Sequence, residues 1–246
     1  MIDSQMKGVQ IAMNKCRCET IGLREDADVF IIEALKSEDY ARNLADGKHL
    51  ENQLNLLGFH PIYRRALSKD DFVCAVNEFT RSNYRFLHIS CHGDMENVFI
   101  YDKDVLTYDE MATILKPNIK NARLTFSACN LGNKDFMMKL FRTKGELHSV
   151  LAPCEETFFD KASIFWNSFY TLLFRSAREA SKSNSKVSIS NDMIEEIVLQ
   201  LCIAFKETVA LGHFCPGGKT RDDDPKFCYK ICNPNPWRNF YSERRA

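Results

Sequence analysis

Apolar positions along the chain follow two alternating rhythms. Short runs rich in β-branched and aromatic residues read as strands: Val29 to Leu35, Phe59 to Tyr63, Tyr84 to Ser90, Val98 to Tyr101, Ala122 to Ser127 and Leu147 to Ala152. Between them, apolar residues recur at helical spacing over His49 to Leu57, Ser68 to Thr80, Thr107 to Leu115, Lys134 to Phe141 and Asp160 to Ala180. Ser68 stands where an N-cap accepts a backbone N–H, with Asp70 and Asp71 at the positive end of the helix that follows. In the long helix Ile164, Phe165, Phe169, Leu172 and Leu173 share one apolar face. Such alternation predicts an α/β fold, a mainly parallel central sheet with helices crossing on both sides.

Downstream, Ile194, Ile197, Val198, Leu201, Phe205 and Val209 predict a last amphipathic helix, and the Pro-, Gly- and Asp-rich residues from Gly212 predict an irregular tail. The Ser/Lys/Asn run from Ser181 to Asn191 reads as a linker, within which Lys182 and Lys186 offer a basic processing site. The expected organisation is an extension over residues 1–26, a core over 27–180, a linker over 181–191, and a helix with tail over 192–246 packed on the core.

Lysines plus arginines equal aspartates plus glutamates at 33 each, so no basic field exists to gather nucleic acid or coat an anionic membrane. No run reaches the ~20 apolar residues of a membrane span, and Met1 to Lys15 lacks the apolar centre of a signal peptide. A cytoplasmic protein without direct nucleic-acid or membrane partners is expected. The ten cysteines are scattered through apolar stretches, as free thiols serving as small hydrophobes are. His213, Cys215, Cys228 and Cys232 are zinc-ligand types but lack C-x-x-C knuckles, so neither metal nor other cofactor is expected. Gly217-Gly218-Lys219-Thr220 lacks the first glycine and following helix of a phosphate loop, and no G-x-S-x-G elbow occurs.

Two strands end in reactive groups. Phe86 to Ser90 delivers Cys91, His92 and Gly93; Leu124 to Ser127 delivers Ala128 and Cys129. Parallel neighbours lie about 4.8 Å apart, so strand ends joined by one right-handed crossover bring imidazole and thiol within reach. His92 can then activate the thiol of Cys129, whose ordinary pKa near ~8.5 leaves it mostly un-ionised, and later protonate a leaving amine. The N–H groups of Gly93 and Cys129 would hold the oxyanion. Cys91 alternates to the opposite face and reads as packing.

His92-Gly93 after one hydrophobic strand and Ser127-Ala128-Cys129-Asn130-Leu131-Gly132 after another resemble the caspase-like cysteine peptidases, in particular their CHAT branch related to separases. Val150 to Pro153, Asp160 and Phe169-Tyr170 are similar to that branch's run from its last core strand into a helix. The family's tryptophan before its acidic residue has no counterpart between Val150 and Asp160. The resemblance implies a caspase-like doubly wound sandwich and a cysteine endopeptidase acting on a protein substrate. It also implies a bacterial cell-death or antiviral-defence effector released by a separate sensor or activating protein. Glu155, Glu156 and Asp160, with Asp94, are candidate substrate-binding residues that would favour Arg or Lys before the cleaved bond. Their alternative is ordinary: Asp160 caps the long helix and the glutamates face solvent. The alternative function is a catalytically inactive caspase-like module that binds a partner segment.

Overall fold

The computed structural model describes residues 21–22, 29–119, 121–141, 147–183, 188–219 and 225–233. β1 (Ile21–Gly22) is followed by the fully buried β2 (Val29–Ala34), then by α1 (Ser37–Ala41), α2 (Asp46–Leu56) and β3 (Ile62–Arg65). α3 (Lys69–Arg81) starts as the sequence predicts, with the Ser68 hydroxyl accepting the Asp71 N–H at 3.1 Å. It returns the chain to β4 (Phe86–Gly93) on the other side of β2. The hairpin β5 (Asn97–Ile100) and β6 (Asp104–Thr107) and the helix α4 (Tyr108–Leu115) lead to β7 (Arg123–Ser127). α5 (Lys134–Phe141), β8 (Ser149–Pro153), α6 (Phe159–Ser183), β9 (Ser188–Ile189), α7 (Asn191–Phe205), β10 (Val209–Lys219) and β11 (Pro225–Cys232) complete the order.

The main sheet runs β11-β10-β8-β7-β4-β2-β3, and its five members from β3 to β8 are parallel. Alternation divides the side chains between two cores. Leu87, Ile89 and Cys91 of β4 and Leu124 and Phe126 of β7 pack with Phe72 of α3, Met111 of α4 and Phe136 of α5. On the other face Phe86, Val29 and Ile31 pack with Leu50 of α2, Trp166, Tyr170 and Phe174 of α6, and Val198 of α7. The expected α/β doubly wound sandwich is the one formed. Cys91 lies 4 % exposed in the first core, and burial pushes its thiol pKa up, in keeping with a packing role.

Several expectations are corrected. The segment after Gly212 was expected to be irregular; instead β10 pairs antiparallel with β8 and β11 with β10, so Leu147 to Ala152 covers an inner strand, not the last. The open edge of β8 leaves backbone groups in need of partners, and Val209, Ala210 and Leu211 satisfy them while filling both cores alternately. Val209 is therefore a strand residue, because α7 stops at Phe205 with Lys206 in a left-handed turn at φ 57°. Within α6, Ile164 is 53 % exposed and lies off the apolar face assigned to it. The linker is shorter than expected, since α6 runs on to Ser183; Lys186 and residues 1–20 and 23–26 lie outside the described residues. The cysteines also include an exception to the free-thiol reading, Cys228, which is disulfide-bonded.

Glu33 is a buried acid near the C-terminal end of β2. One of its oxygens accepts the Gly47 N–H at the start of α2 at 2.7 Å, and the other accepts the Tyr63 hydroxyl. Burial first, and then the nearby Asp46, lifts its pKa from 4.5 to about 7, against the lowering pull of Tyr63 and Gly47. The folded state therefore binds this proton more tightly than the unfolded chain. Stability contributed by protonated Glu33 is complete below pH 4.5 and lost as pH rises through about 7. Glu33→Gln keeps a neutral acceptor there. Its unfolding free energy relative to wild type should rise between pH 5 and pH 8 by on the order of 2 to 3 kcal/mol. Urea unfolding at the two pH values measures this; a difference that does not change with pH contradicts it.

Candidate active site

The pairing of β4 with β7 ends at Ser90 opposite Ser127. Two residues further along each chain, on the same face, come His92 and Cys129. β4 continues past Ser90 because His92 and Gly93 pair with Phe99 and Val98 of β5. β7 does not continue; the chain turns away through Asn130 in the left-handed region at φ 61°. A Cβ added to Gly93 would stand 2.7 Å from the Cys129 carbonyl oxygen and 3.0 Å from the Leu131 side chain. The glycine thus lets the two strand ends touch.

The same economy operates one turn later. Gly132 donates to the Pro153 carbonyl at 2.6 Å, and a Cβ on it would meet the Ala152 and Pro153 oxygens at 2.6 and 2.7 Å. Backbone, not a flexible side chain, fills that space. Gly132→Ala is therefore expected to cost about 3 kcal/mol, as overpacking does, and to lower the urea midpoint correspondingly. An unchanged midpoint would mean that the Cys129 turn moves freely from β8.

His92 is held from behind. Its Nε2 lies 2.7 Å from Oδ2 of Asp39 on α1, a side chain 11 % exposed that also accepts the Lys36 N–H at 3.0 Å. A carboxylate only accepts, so it selects the tautomer with the proton on Nε2 and leaves Nδ1 as the basic nitrogen. The Phe159 ring stands edge-on to the imidazole at 5.6 Å. The half-buried Cys129 sulfur accepts the Thr157 N–H at 3.4 Å and lies 3.6 Å from the Thr157 carbonyl oxygen. Thr157 is in turn fixed by its hydroxyl on Glu207 at 2.9 Å, which also pairs with Lys161 at 3.2 Å. The stretch from Thr157 to Phe159 so borders both thiol and imidazole.

The two strand ends thus present a half-buried thiol and an imidazole bonded to a carboxylate. Solved structures with a similar shape include gingipain R, an Arg-specific cysteine proteinase (TM-score 0.41, 13% identity, covering 63% of this chain and 39% of that one). A complex of the Porphyromonas gingivalis RgpB pro- and mature domains aligns at TM-score 0.40 and 14% identity, over 61% of this chain and 38% of that chain. Caspase-1 from Spodoptera frugiperda aligns at TM-score 0.47 and 13% identity, over 91% of this chain and 92% of that one. The chain spans about two fifths of the gingipain chains it matches. No protein-family profile matches it, and no curated protein matches it in sequence.

The acidic residues singled out in the sequence are not gathered into one cluster by their contacts. Asp94 uses Oδ1 on the Glu96 and Asn97 N–H groups, at 2.8 and 2.6 Å, to build the turn between β4 and β5. Its carbonyl accepts the Tyr108 hydroxyl at 2.8 Å, and Tyr108 accepts from Asn133 at 2.7 Å. Asn133 also donates to the Asn130 carbonyl at 2.8 Å, linking the turn after His92 to the turn after Cys129. Glu155 and Glu156 are exposed; the Glu155 carbonyl accepts the Asn130 N–H at 3.3 Å. Asp160 is exposed in the first turn of α6 and accepts the Lys161 N–H at 2.9 Å. Among the described residues, Asp39 bonds His92 directly, and Glu207 connects to Cys129 through Thr157. Neither was singled out in the sequence. Asp39 had one local signal, a first-turn position after Lys36 that serves a cap; Glu207 had none.

His213 faces Cys228 across β10 and β11, but a disulfide-bonded Cys228 is no thiolate ligand. Among the described residues no three His, Cys, Asp or Glu side chains are grouped to hold a metal ion, and no helix is long and apolar enough to cross a membrane.

Proposed function

We propose that the chain is a cysteine endopeptidase in which Cys129 is the nucleophile, His92 the base and Asp39 the group that orients the base. The observation that supports this reading is the pairing of β4 with β7 up to Ser90 and Ser127, with His92 bonded to Asp39 two residues on and the half-buried Cys129 thiol accepting the Thr157 N–H. Nδ1 of His92 takes the thiol proton, and the thiolate adds to the carbonyl carbon of the peptide bond. The tetrahedral oxyanion is held by the N–H groups of Cys129 and Gly93. The neighbouring Asn130 N–H is spent on Glu155, whereas that of Cys129 meets no backbone carbonyl among the described residues. Collapse of the intermediate expels the amine, which takes the proton from His92 and leaves a thioester. Water, deprotonated by His92, then releases the acid and restores the thiol.

The finer assignment is to the CHAT branch of caspase-like peptidases, as a cytoplasmic cell-death or antiviral-defence effector that waits for a separate activating protein. It rests on the Ser127-Ala128-Cys129 stretch with Gly132 three residues on. The core over residues 27–180 carries the dyad, and the C-terminal part packs on it. Preference for Arg or Lys before the cleaved bond follows from Glu155, Glu156 and Asp160 on the segment that touches the thiol. Cleavage confined to Asp-containing members of a mixed peptide panel would overturn that preference.

The inactive-module alternative is favoured by one observation, the Thr157 backbone lying against the sulfur. Thiol chemistry separates the two readings. With iodoacetamide at pH 6.5, Cys129 of an endopeptidase is alkylated ahead of the exposed Cys74, as peptide mapping would show. Equal labelling of the two favours the inactive module.

A further inference from the structure

One side chain behind the dyad joins both of its strands. Asp46, the first residue of α2, is only 4 % exposed, and its two carboxylate oxygens accept two different serines. Ser90 of β4 donates to Oδ1, and Ser127 of β7 donates to Oδ2 at 2.6 Å. These serines form the last pair of the β4–β7 ladder, and each stands two residues before a member of the dyad on the same face. Beyond them, β7 leaves the ladder and no β4–β7 strand pairing sets how far Cys129 stands from His92. α2 is itself anchored to β2, since the Gly47 N–H donates to Glu33.

If stability alone were at issue, two apolar residues would serve better. The opposite face of the same two strands has Ile89 beside Phe126 at the preceding pair, whereas a buried carboxylate carries a desolvation cost that its bonds only offset. What the carboxylate adds is geometry: one planar group reaches a serine on each strand at once.

Resting on the endopeptidase reading above, we propose that Asp46 is a positioning residue that clamps the ends of β4 and β7 through Ser90 and Ser127 and so fixes the separation of His92 and Cys129. It acts through the serines and is too deep to touch substrate. Displacements well under an ångström decide whether an imidazole can take a thiol proton, so loosening the clamp lowers thiol reactivity even where the sheet survives.

The test is the second-order rate of iodoacetamide labelling of Cys129 at pH 6.5 in the full chain, with thermal unfolding beside it. Ser90→Ala and Ser127→Ala are each expected to slow labelling by about tenfold. The double variant should be little slower than either single one, because either change opens the same clamp. Ser127→Thr, which keeps the hydroxyl, should restore most of the rate. Ser149→Ala, a buried serine that bonds Arg123 in the same sheet, is the structural control: it lowers the melting temperature and leaves labelling unchanged. Should an alanine variant not fold, Asp46→Asn, which keeps one acceptor oxygen, gives the same reading. Variants that lose stability yet label at the wild-type rate overturn the clamp alone, as does a double variant whose losses multiply. A wild type in which Cys129 labels no faster than Cys74 sinks the dyad, and the clamp with it.

Discussion

Cys129→Ala abolishes peptide hydrolysis, with an expected loss of at least about 10⁴-fold in kcat/KM. The size follows from the loss of the bond-forming atom, since what remains is binding and oxyanion stabilisation without a nucleophile. Cys91, one residue before His92, cannot substitute. Its thiol belongs to the opposite core, where burial holds it protonated, and a strand cannot turn one side chain over without breaking its ladder. His92→Ala should cost a similar factor, and the double variant should be no worse than either single, because the pair acts as one unit. Hydrolysis of a fluorogenic panel with basic and acidic residues before the scissile bond, at matched protein concentration, measures all three. Equal activity of wild type and Cys129→Ala would remove the proposed reaction altogether.

The next largest effect is expected at Asp39. The Asp39→Asn side chain keeps the size of the carboxylate but can turn its amide N–H toward Nε2 of His92. That orientation favours the imidazole with its proton on Nδ1, which cannot accept from the thiol. A fall of about 100-fold in kcat, with KM little changed, is expected for a group that acts through another. A variant that lost activity only by unfolding would not show the KM–kcat split. A normal kcat would reduce Asp39 to a cap for α1, the role its bond to the Lys36 N–H already gives it.

The two strand ends that precede His92 and Cys129 were legible in the chain because the signals for them are local. A run of apolar residues followed by His92-Gly93 or by Cys129 with Gly132 needs only the strand period and the short reach of backbone around glycine to be read. The two glycines keep that meaning in three dimensions, where they let backbone meet backbone at Cys129 and at Pro153. Asp94 and Asp160 were legible as acids close in sequence to these strand ends, and each also accepts an N–H of the kind that turns and helix starts offer. Asp39 lies 53 residues from His92 and Glu207 lies 50 from Thr157, distances across which no local pattern speaks.

The last two strands make the same point from the other direction. Their glycines, prolines and aspartates read locally as loop, and what makes β10 a strand is the open edge of β8, which the order of the sheet creates and the local sequence does not contain. By itself, then, the sequence determined the alternation of strands and helices, the parallel sheet and the two strand ends that carry His92 and Cys129, all consequences of periodicity and of near-neighbour backbone chemistry. Tertiary structure alone decided which carboxylate bonds His92, which carboxylate takes both Ser90 and Ser127, and which strands extend the sheet past β8. Those depend on side chains brought together across α1, α2 and the turn after α7, where burial and unmet hydrogen bonds, not spacing along the chain, select the partner.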